Sequence, residues 1–231
     1  MGREIILMNK KGYSYVFWDW NGTLIDDLET NFSVINTLLS KRKKNTISLS
    51  QYRQAFTFPI KEFYRRVGFS IDGEEYQRLV CDYWELYKSN SKGIPLMTGA
   101  LDVLNSLNQK QIKQYILSAS DRRMVLDQVS AYGIRHFFED IIAPQDGYAL
   151  GKVELAKQWM SDKNIPSSNV IMIGDTIHDY ETAKTIKVDC ALVNKGHQNL
   201  CVSASIPSIM VFDSIDELAS TIFSVKQSAT L

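Results

Sequence analysis

The sequence predicts an α/β fold: a three-layer α/β/α core on a parallel sheet, with a small α-helical unit inserted after the first strand. Short apolar runs rich in β-branched and aromatic residues recur between turn-forming residues, as buried strands do. Segments with helical spacing of apolar residues alternate with these runs. That alternation implies right-handed crossovers with helices on both faces of the sheet. A stretch near the start, residues 30–94, breaks the alternation and reads as helix alone.

In chain order, the predicted strands are "YSYVFWDW" (13–20), "QIKQYILSA" (111–119), "NVIMIGD" (169–175), "CALVN" (190–194) and "SIMVF" (208–212). The predicted core helices span 99–109, 121–132, 151–161, 177–187 and 214–224. Asp121 is placed to cap the second of these, since a carboxylate there accepts from free N–H groups of the first turn, and Gly133 is placed to end it. The insertion holds "NFSVINTLLSKRKK", "SLSQYRQAF", "PIKEFYRRVGF" and "GEEYQRLVCDYWELYKSN", all helix-like. The expected domains are therefore a core of 1–29 and 95–231 around an inserted unit of 30–94.

Composition narrows the function classes. Lysine plus arginine equal aspartate plus glutamate at 26 each, so no broad field draws the chain to nucleic acid or to an anionic membrane. The basic stretch "KRKK" (41–44) suits a solvated helix end, where cations face the negative pole of the dipole. The run "EIILM" (4–8) is too short for a signal or a span, and no later run reaches about 18 apolar residues, so a cytoplasmic location is expected. Cys81, Cys190 and Cys201 lack metal-ligand spacing and leave an odd count; two of them lie in apolar context, so buried, reduced thiols are expected. Without a secretion signal, Asn21-Gly22-Thr23 is not read as a glycosylation site. The oligomeric state, monomer or homodimer, is not written in the sequence.

In open parallel sheets, ligands bind beyond the carboxyl ends of the strands, near the point where the strand order reverses. The residues at those ends are therefore the candidates. The first strand ends on Asp19, the second on Ser118-Ala119-Ser120, and a later one on Gly174-Asp175, with Asp179 about one helical turn further. Lys152 follows a glycine at the start of another helix. Clustered carboxylates repel and must be protonated or neutralised. Mg²⁺ does this with a few carboxylates, a carbonyl and waters. A lysine and a hydroxyl beside it suit the oxygens of a phosphoryl group, and a free carboxylate oxygen can act as nucleophile. The residues point to Mg²⁺-dependent phosphoryl transfer.

The same residues resemble the haloacid dehalogenase superfamily of hydrolases over nearly the whole chain. "DWNGTL" (19–24) is similar to its first motif with one departure, "YILSAS" to the second, Lys152 to the third, and "GDTIHD" (174–179) to the fourth. The helical insertion and "PLMTGALDVLNSLNQK" resemble the phosphoglycolate phosphatase-like subgroup, which carries a helical cap of the C1 type. The resemblance implies a Rossmann-like core, Mg²⁺ as cofactor, a small phosphorylated metabolite as substrate, and neither nucleic acid nor membrane as partner. It implies Asp19 as nucleophile and metal ligand, the carbonyl of Asn21 as a further ligand, and Asp175 and Asp179 as the remaining metal-site residues. Gly22, Thr23, Ser118, Ala119 and Lys152 would hold the phosphoryl group. Tyr52, Arg53, Lys61, Tyr64 and Arg65 are the candidate substrate contacts in the cap.

The departure is Asn21, where the family usually has an Asp that protonates the leaving oxygen and later activates water. An amide can do neither, and such help is worth about 10²–10⁴-fold, so reduced activity is expected. Either the leaving group is good or another group, such as His178 or His197, serves. Two further readings are a carbon–phosphorus hydrolase with a cap lysine, for which Lys61 is the candidate, and a weakened protein that binds phosphorylated ligands. A response-regulator receiver would lack the insertion. An EF-hand loop fails because Phe17 and Leu28 stand where ligands are required. A dehalogenase proper would not need both Asp175 and Asp179.

Overall fold

The first strand, β1 (Tyr15–Trp18), feeds four helices: α1 (Leu28–Lys41), α2 (Leu49–Ala55), α3 (Ile60–Arg66) and α4 (Gly73–Asn90). The chain then runs α5 (Ala100–Gln109), β2 (Lys113–Leu117), α6 (Arg122–Ala131), β3 (Phe138–Ile142), α7 (Lys152–Asp162) and β4 (Val170–Gly174). It closes with α8 (Ile177–Ile186), β5 (Asp189–Val193), β6 (Met210–Phe212) and α9 (Ile215–Ile222). This computed structural model describes residues 12–145, 151–200 and 209–223. The segment 4–8, Cys201 and the predicted element ends at 208 and 224 lie outside the described residues.

The six strands form one parallel sheet in the order β3-β2-β1-β4-β5-β6. Alternation of side chains along β1 sorts the core into two layers. Val16 and Trp18 pack with Ile116, Ile171 and Ile173 on the face covered by α5, α6 and α9. Phe17 packs on the other face with Tyr115, Met172 and residues of α7 and α8, among them Ala156, Met160 and Ala183. Buried polar groups on this sheet are paired: Trp18 Nε1 donates to Gln114 Oε1 at 3.1 Å, and Gln114 Nε2 donates to the Leu104 carbonyl at 2.9 Å. Asp121 caps α6 as expected, accepting from the N–H groups of Arg123 and Met124.

β3 is absent from the sequence-based expectation. Its segment, "FEDII", places Glu139 and Asp140 in the middle of the run and interrupts the apolar signal. It is an edge strand, and acids are tolerated there because one side faces solvent. The first two predicted strands also prove shorter than their apolar runs, because Asp19 and Ser118 already belong to the loops beyond them.

The insertion has its own apolar centre, with Ile35, Leu38, Leu39, Tyr52, Phe63 and Leu79 fully or almost fully buried. Burying side chains of this size contributes about 1.5–3 kcal/mol each. The chain leaves and re-enters the core as a pair: Asp26 N–H donates to the Pro95 carbonyl at 3.0 Å and Met97 N–H to the Leu24 carbonyl at 2.9 Å. On its far side the insertion docks on the loop after β5. Arg53 reaches the Asn194 and Gln198 carbonyls, and Gln198 Nε2 donates to the Phe56 carbonyl. No helix among the described residues is long and apolar enough to cross a membrane. Cys81 is exposed rather than buried, because it falls on the outer face of α4, and Cys190 is half-buried.

Candidate active site

Register places the site. Trp18 pairs with Ile116 and with Ile173, so Asp19, Ser118 and Asp175 each follow the last residue of adjacent strands. This is where the strand order turns from β1 outward in both directions, the usual place for a ligand crevice. Lys152 opens α7 and Asp179 lies in the first turn of α8, so both helix starts point their side chains at the same spot.

Lys152, only 4 % exposed, donates to Asp19 Oδ1 at 2.5 Å and to Asp179 Oδ1 at 2.6 Å. Asp179 Oδ2 accepts from the backbone N–H groups of Asp175 and Thr176 and from the Thr176 hydroxyl, at 3.2, 3.0 and 2.7 Å. Asp175 accepts from the Thr23 hydroxyl at 3.3 Å and from the His197 N–H at 2.6 Å. One oxygen from each of Asp19, Asp175 and Asp179 can be chosen so that all lie within 4.8 Å of one another. Burial pushes Asp19 up to about 7, with Lys152 pulling it down and Asp179 adding to the rise. Burial likewise pushes Asp175 up to about 8, relieved in part by His197 and reinforced by Asp19 and Asp179. Burial alone would raise Asp179 too, yet Lys152 and its hydrogen bonds hold it below the usual carboxylate range. The Lys152 ammonium is opposed by burial but held above its ordinary value by Asp179 and Asp19.

The turn after Asp19 is set by close approach. Gly22 has φ +76°, and a Cβ there would sit 2.5 Å from Asp175 Oδ2 and 2.7 Å from His197 Cδ2. Only glycine fits both the conformation and the space.

A second carboxylate, which is not at a strand end and so is not among the sequence candidates, lies beside the first cluster. Asp27 is fully buried and accepts five hydrogen bonds. The donors are Asn21 Nδ2 at 2.7 Å, Gly22 N–H at 2.9 Å, Asn31 Nδ2 at 2.7 Å, Tyr87 hydroxyl at 3.0 Å and His197 Nε2 at 3.0 Å. Burial opposes its charge, but His197 and these donors outweigh burial and hold its carboxyl below the usual range. The His197 imidazole is in turn raised above its ordinary value, against burial, by Asp27. Its other nitrogen, Nδ1, lies 3.0 Å from the Tyr52 hydroxyl, and its ring stacks on Phe56. Asn21 is thereby held at both ends of its amide: Nδ2 to Asp27 and Tyr87, Oδ1 accepting from the Ser120 hydroxyl at 2.7 Å.

A cavity of about 280 Å³ connects this floor to the insertion. Asp19, Asn21, Ser118, Ala119, Lys152, Asp175 and Asp179 line its core end, with His178 and His197. Of the five cap residues singled out by sequence, Tyr52 and Tyr64 line it, whereas Arg53, Lys61 and Arg65 do not. Arg53 binds the loop after β5, Lys61 Nζ lies 5.0 Å from the Tyr76 ring centroid, and Arg65 pairs with Glu62 at the surface. Periodicity found the helices but could not tell which face of each one meets the core.

A parallel sheet with acids at its switch point and a helical insertion over them defines an α/β hydrolase with a cap. The sequence profile of the haloacid dehalogenase-like hydrolases matches residues 16–193, and the chain belongs to that family. Similar solved structures share the fold at low identity. A predicted phosphatase from Clostridium acetobutylicum aligns with TM-score 0.79 and 22% identity, covering 92% of this chain and 99% of its own. A predicted phosphoglycolate phosphatase from Haemophilus somnus gives 0.74 and 15%, covering 91% and 98%. A CbbY variant from Rhodobacter sphaeroides, in complex with xylulose-1,5-bisphosphate, gives 0.70 and 18%, covering 89% and 96%. No curated protein sequence matches the chain.

Proposed function

We propose that the protein is a Mg²⁺-dependent hydrolase of phosphate monoesters that takes a small phosphorylated metabolite and works through Asp19. One observation carries this reading: three carboxylates converge within 4.8 Å, and among the described residues Lys152 is the only side-chain cation bonded to them. That leaves two negative charges, which is the charge of one divalent ion, and the all-oxygen donor set suits Mg²⁺. Asp19, Asp175, Asp179 and the carbonyl of Asn21 would hold it, directly or through water. When bound, the ion would neutralise the carboxylates and withdraw charge from the phosphoryl oxygens.

The chain's own residues do the rest. Lys152, Thr23, Ser118 and the Ala119 backbone hold the phosphoryl group, and Gly22 lets the turn that carries Thr23 close against Asp175 and His197. An Asp19 oxygen attacks phosphorus, and the bond to the ester oxygen breaks with its electron pair. The leaving oxygen takes its proton from water, because Asn21 has none to give, both nitrogens of His197 are engaged, and burial and Lys152 lower the His178 imidazole below its ordinary value, where it stacks on Phe58. A second water then cleaves the acyl phosphate, freeing phosphate and restoring Asp19. Residues 30–94 act as the cap that closes over this chemistry and excludes bulk water.

The bisphosphate bound by the Rhodobacter protein supports the general class of ligand, a phosphorylated small molecule. A carbon–phosphorus hydrolase is less well supported, because Lys152 is the only ammonium among the described cavity residues. The test is phosphate release from a panel of esters with Mg²⁺ and with EDTA, in wild type and Asp19→Asn. Release that needs Mg²⁺ and vanishes in the variant upholds the reading. Release that survives Asp19→Asn sinks it, and tight ligand binding without any turnover would make this a binding protein.

A further inference from the structure

Beyond the phosphoryl end, the cavity changes character. Its cap side is lined by Phe56, Phe58, Ile60, Phe63, Val80 and Trp84, together with several tyrosines. Three of these tyrosines spend their hydroxyls on protein partners, so that their rings are what they offer a ligand: Tyr52 on His197, Tyr83 on Asn31 and Tyr87 on Asp27. Among the described lining residues there is no arginine, and the one lysine, Lys152, is engaged by Asp19 and Asp179. His197 is bonded at both nitrogens, and the ring of His178 stacks on Phe58 at 4.3 Å between centroids.

We infer that the alcohol part of the substrate is apolar and about the size of one ring, and that it carries no second anionic group. This rests on the phosphatase reading above and narrows its substrate class. A carboxylate or second phosphate on the leaving group would be taken from water into an aromatic enclosure with no cation to meet it, which is strongly unfavourable. An apolar ring loses nothing by the transfer and gains contact with the aromatic wall. Size agrees: a dry cavity of about 150 Å³ holds one benzene, so about 280 Å³ admits a phosphoryl group and one ring.

The experiment compares benzyl phosphate with phosphoglycolate and glycerol 3-phosphate, all esters of alkyl alcohols, so that leaving-group acidity does not decide the order. With Mg²⁺ present, kcat/KM for benzyl phosphate should exceed that for phosphoglycolate on the order of 10²-fold. Val80→Arg, which introduces a cation into the wall, should narrow that ratio at least about tenfold. Equal or better hydrolysis of phosphoglycolate by wild type overturns the inference. If no ester turns over, the phosphatase reading has failed, and the cavity is judged by calorimetric binding of benzylphosphonate against phosphonoacetate with Mg²⁺. Preference for benzylphosphonate then upholds the apolar pocket; preference for phosphonoacetate, or binding of neither, overturns it.

Discussion

Two clusters of buried carboxylate sit side by side under the same cavity, and they are built in opposite ways. Around Asp27 every lone pair is met, and the single charge faces one imidazole held above its ordinary value. Around Asp19, Asp175 and Asp179 one ammonium faces three acids, and two of the acids are driven upward toward protonation. The Asp27 cluster is closed and gains nothing from a ligand. The Asp19 cluster is stable only with protons or with a cation brought from outside, which is what a binding site requires. The Asp27 cluster also joins the two parts of the molecule, since Asn31, Tyr52 and Tyr87 come from the insertion while Asn21, Gly22 and His197 come from the core.

Substitution should separate the two sharply. Asp19→Asn should abolish turnover, by about 10⁴-fold or more in kcat, while leaving the fold intact. It should also raise the melting temperature of the metal-free protein, since one repelling charge is gone. Asp27→Ala should do the reverse. It removes the His197 imidazole's charged partner and leaves several buried donors unmet, so stability should fall by about 3–5 kcal/mol in urea titration. A loss below about 1 kcal/mol would mean that the Asp27 cluster is not the closed ion pair described here.

Asn21 stands between the clusters, and its chemistry is explained by the Asp27 carboxylate. Restoring the missing acid by Asn21→Asp alone would set a second carboxylate 2.7 Å from Asp27 Oδ2, where the amide now donates. The single variant should therefore lose stability and gain no activity. Asn21→Asp combined with Asp27→Asn still costs His197 its counter-charge, but it should lose less stability than the two single variants added together, with a coupling of about 1–3 kcal/mol across the double-mutant cycle. If the new acid then reaches the leaving oxygen, the double variant should turn over slow alkyl esters faster than the single one, within the about 10²–10⁴-fold typical of such groups. Additive effects in the cycle would show that Asn21 is not the partner of Asp27.

Much of this was legible in the sequence because strand ends are local. An apolar run stopping on Asp19 or on Gly174-Asp175 announces both the element and the residue beyond it. Lys152 was legible for the same reason, as the first residue of a helix. The role of Asp27 was not, because it depends on donors up to 170 positions away brought in by the fold. The cap contacts were half legible: aromatic residues and arginines both recur at helical spacing, and only packing shows that the aromatics turn inward. β3 was hidden because an edge strand tolerates acids in its middle.

The test that probes the comparison most directly runs through pH. In the unfolded chain Asp19 and Asp175 release their protons near the ordinary carboxylate value, about 3.9. In the folded, metal-free protein they hold them until about 7 and about 8. Across that window the folded state binds more protons than the unfolded state, so stability falls as pH rises. Metal-free protein should lose roughly 2 kcal/mol for each of the two groups, about 4–5 kcal/mol together, between pH 5 and 7. Mg²⁺ binds only the deprotonated carboxylates, so its affinity and its stabilising effect should both grow from pH 6 to pH 8, with protons released on binding. His197 also loses stabilisation as pH rises through its raised value, but Mg²⁺ does not meet that group. The part of the slope that Mg²⁺ or Asp175→Asn removes therefore belongs to the Asp19 cluster. A slope untouched by either would assign the pH dependence to the Asp27–His197 pair, and the division between an open cluster and a closed one would fail.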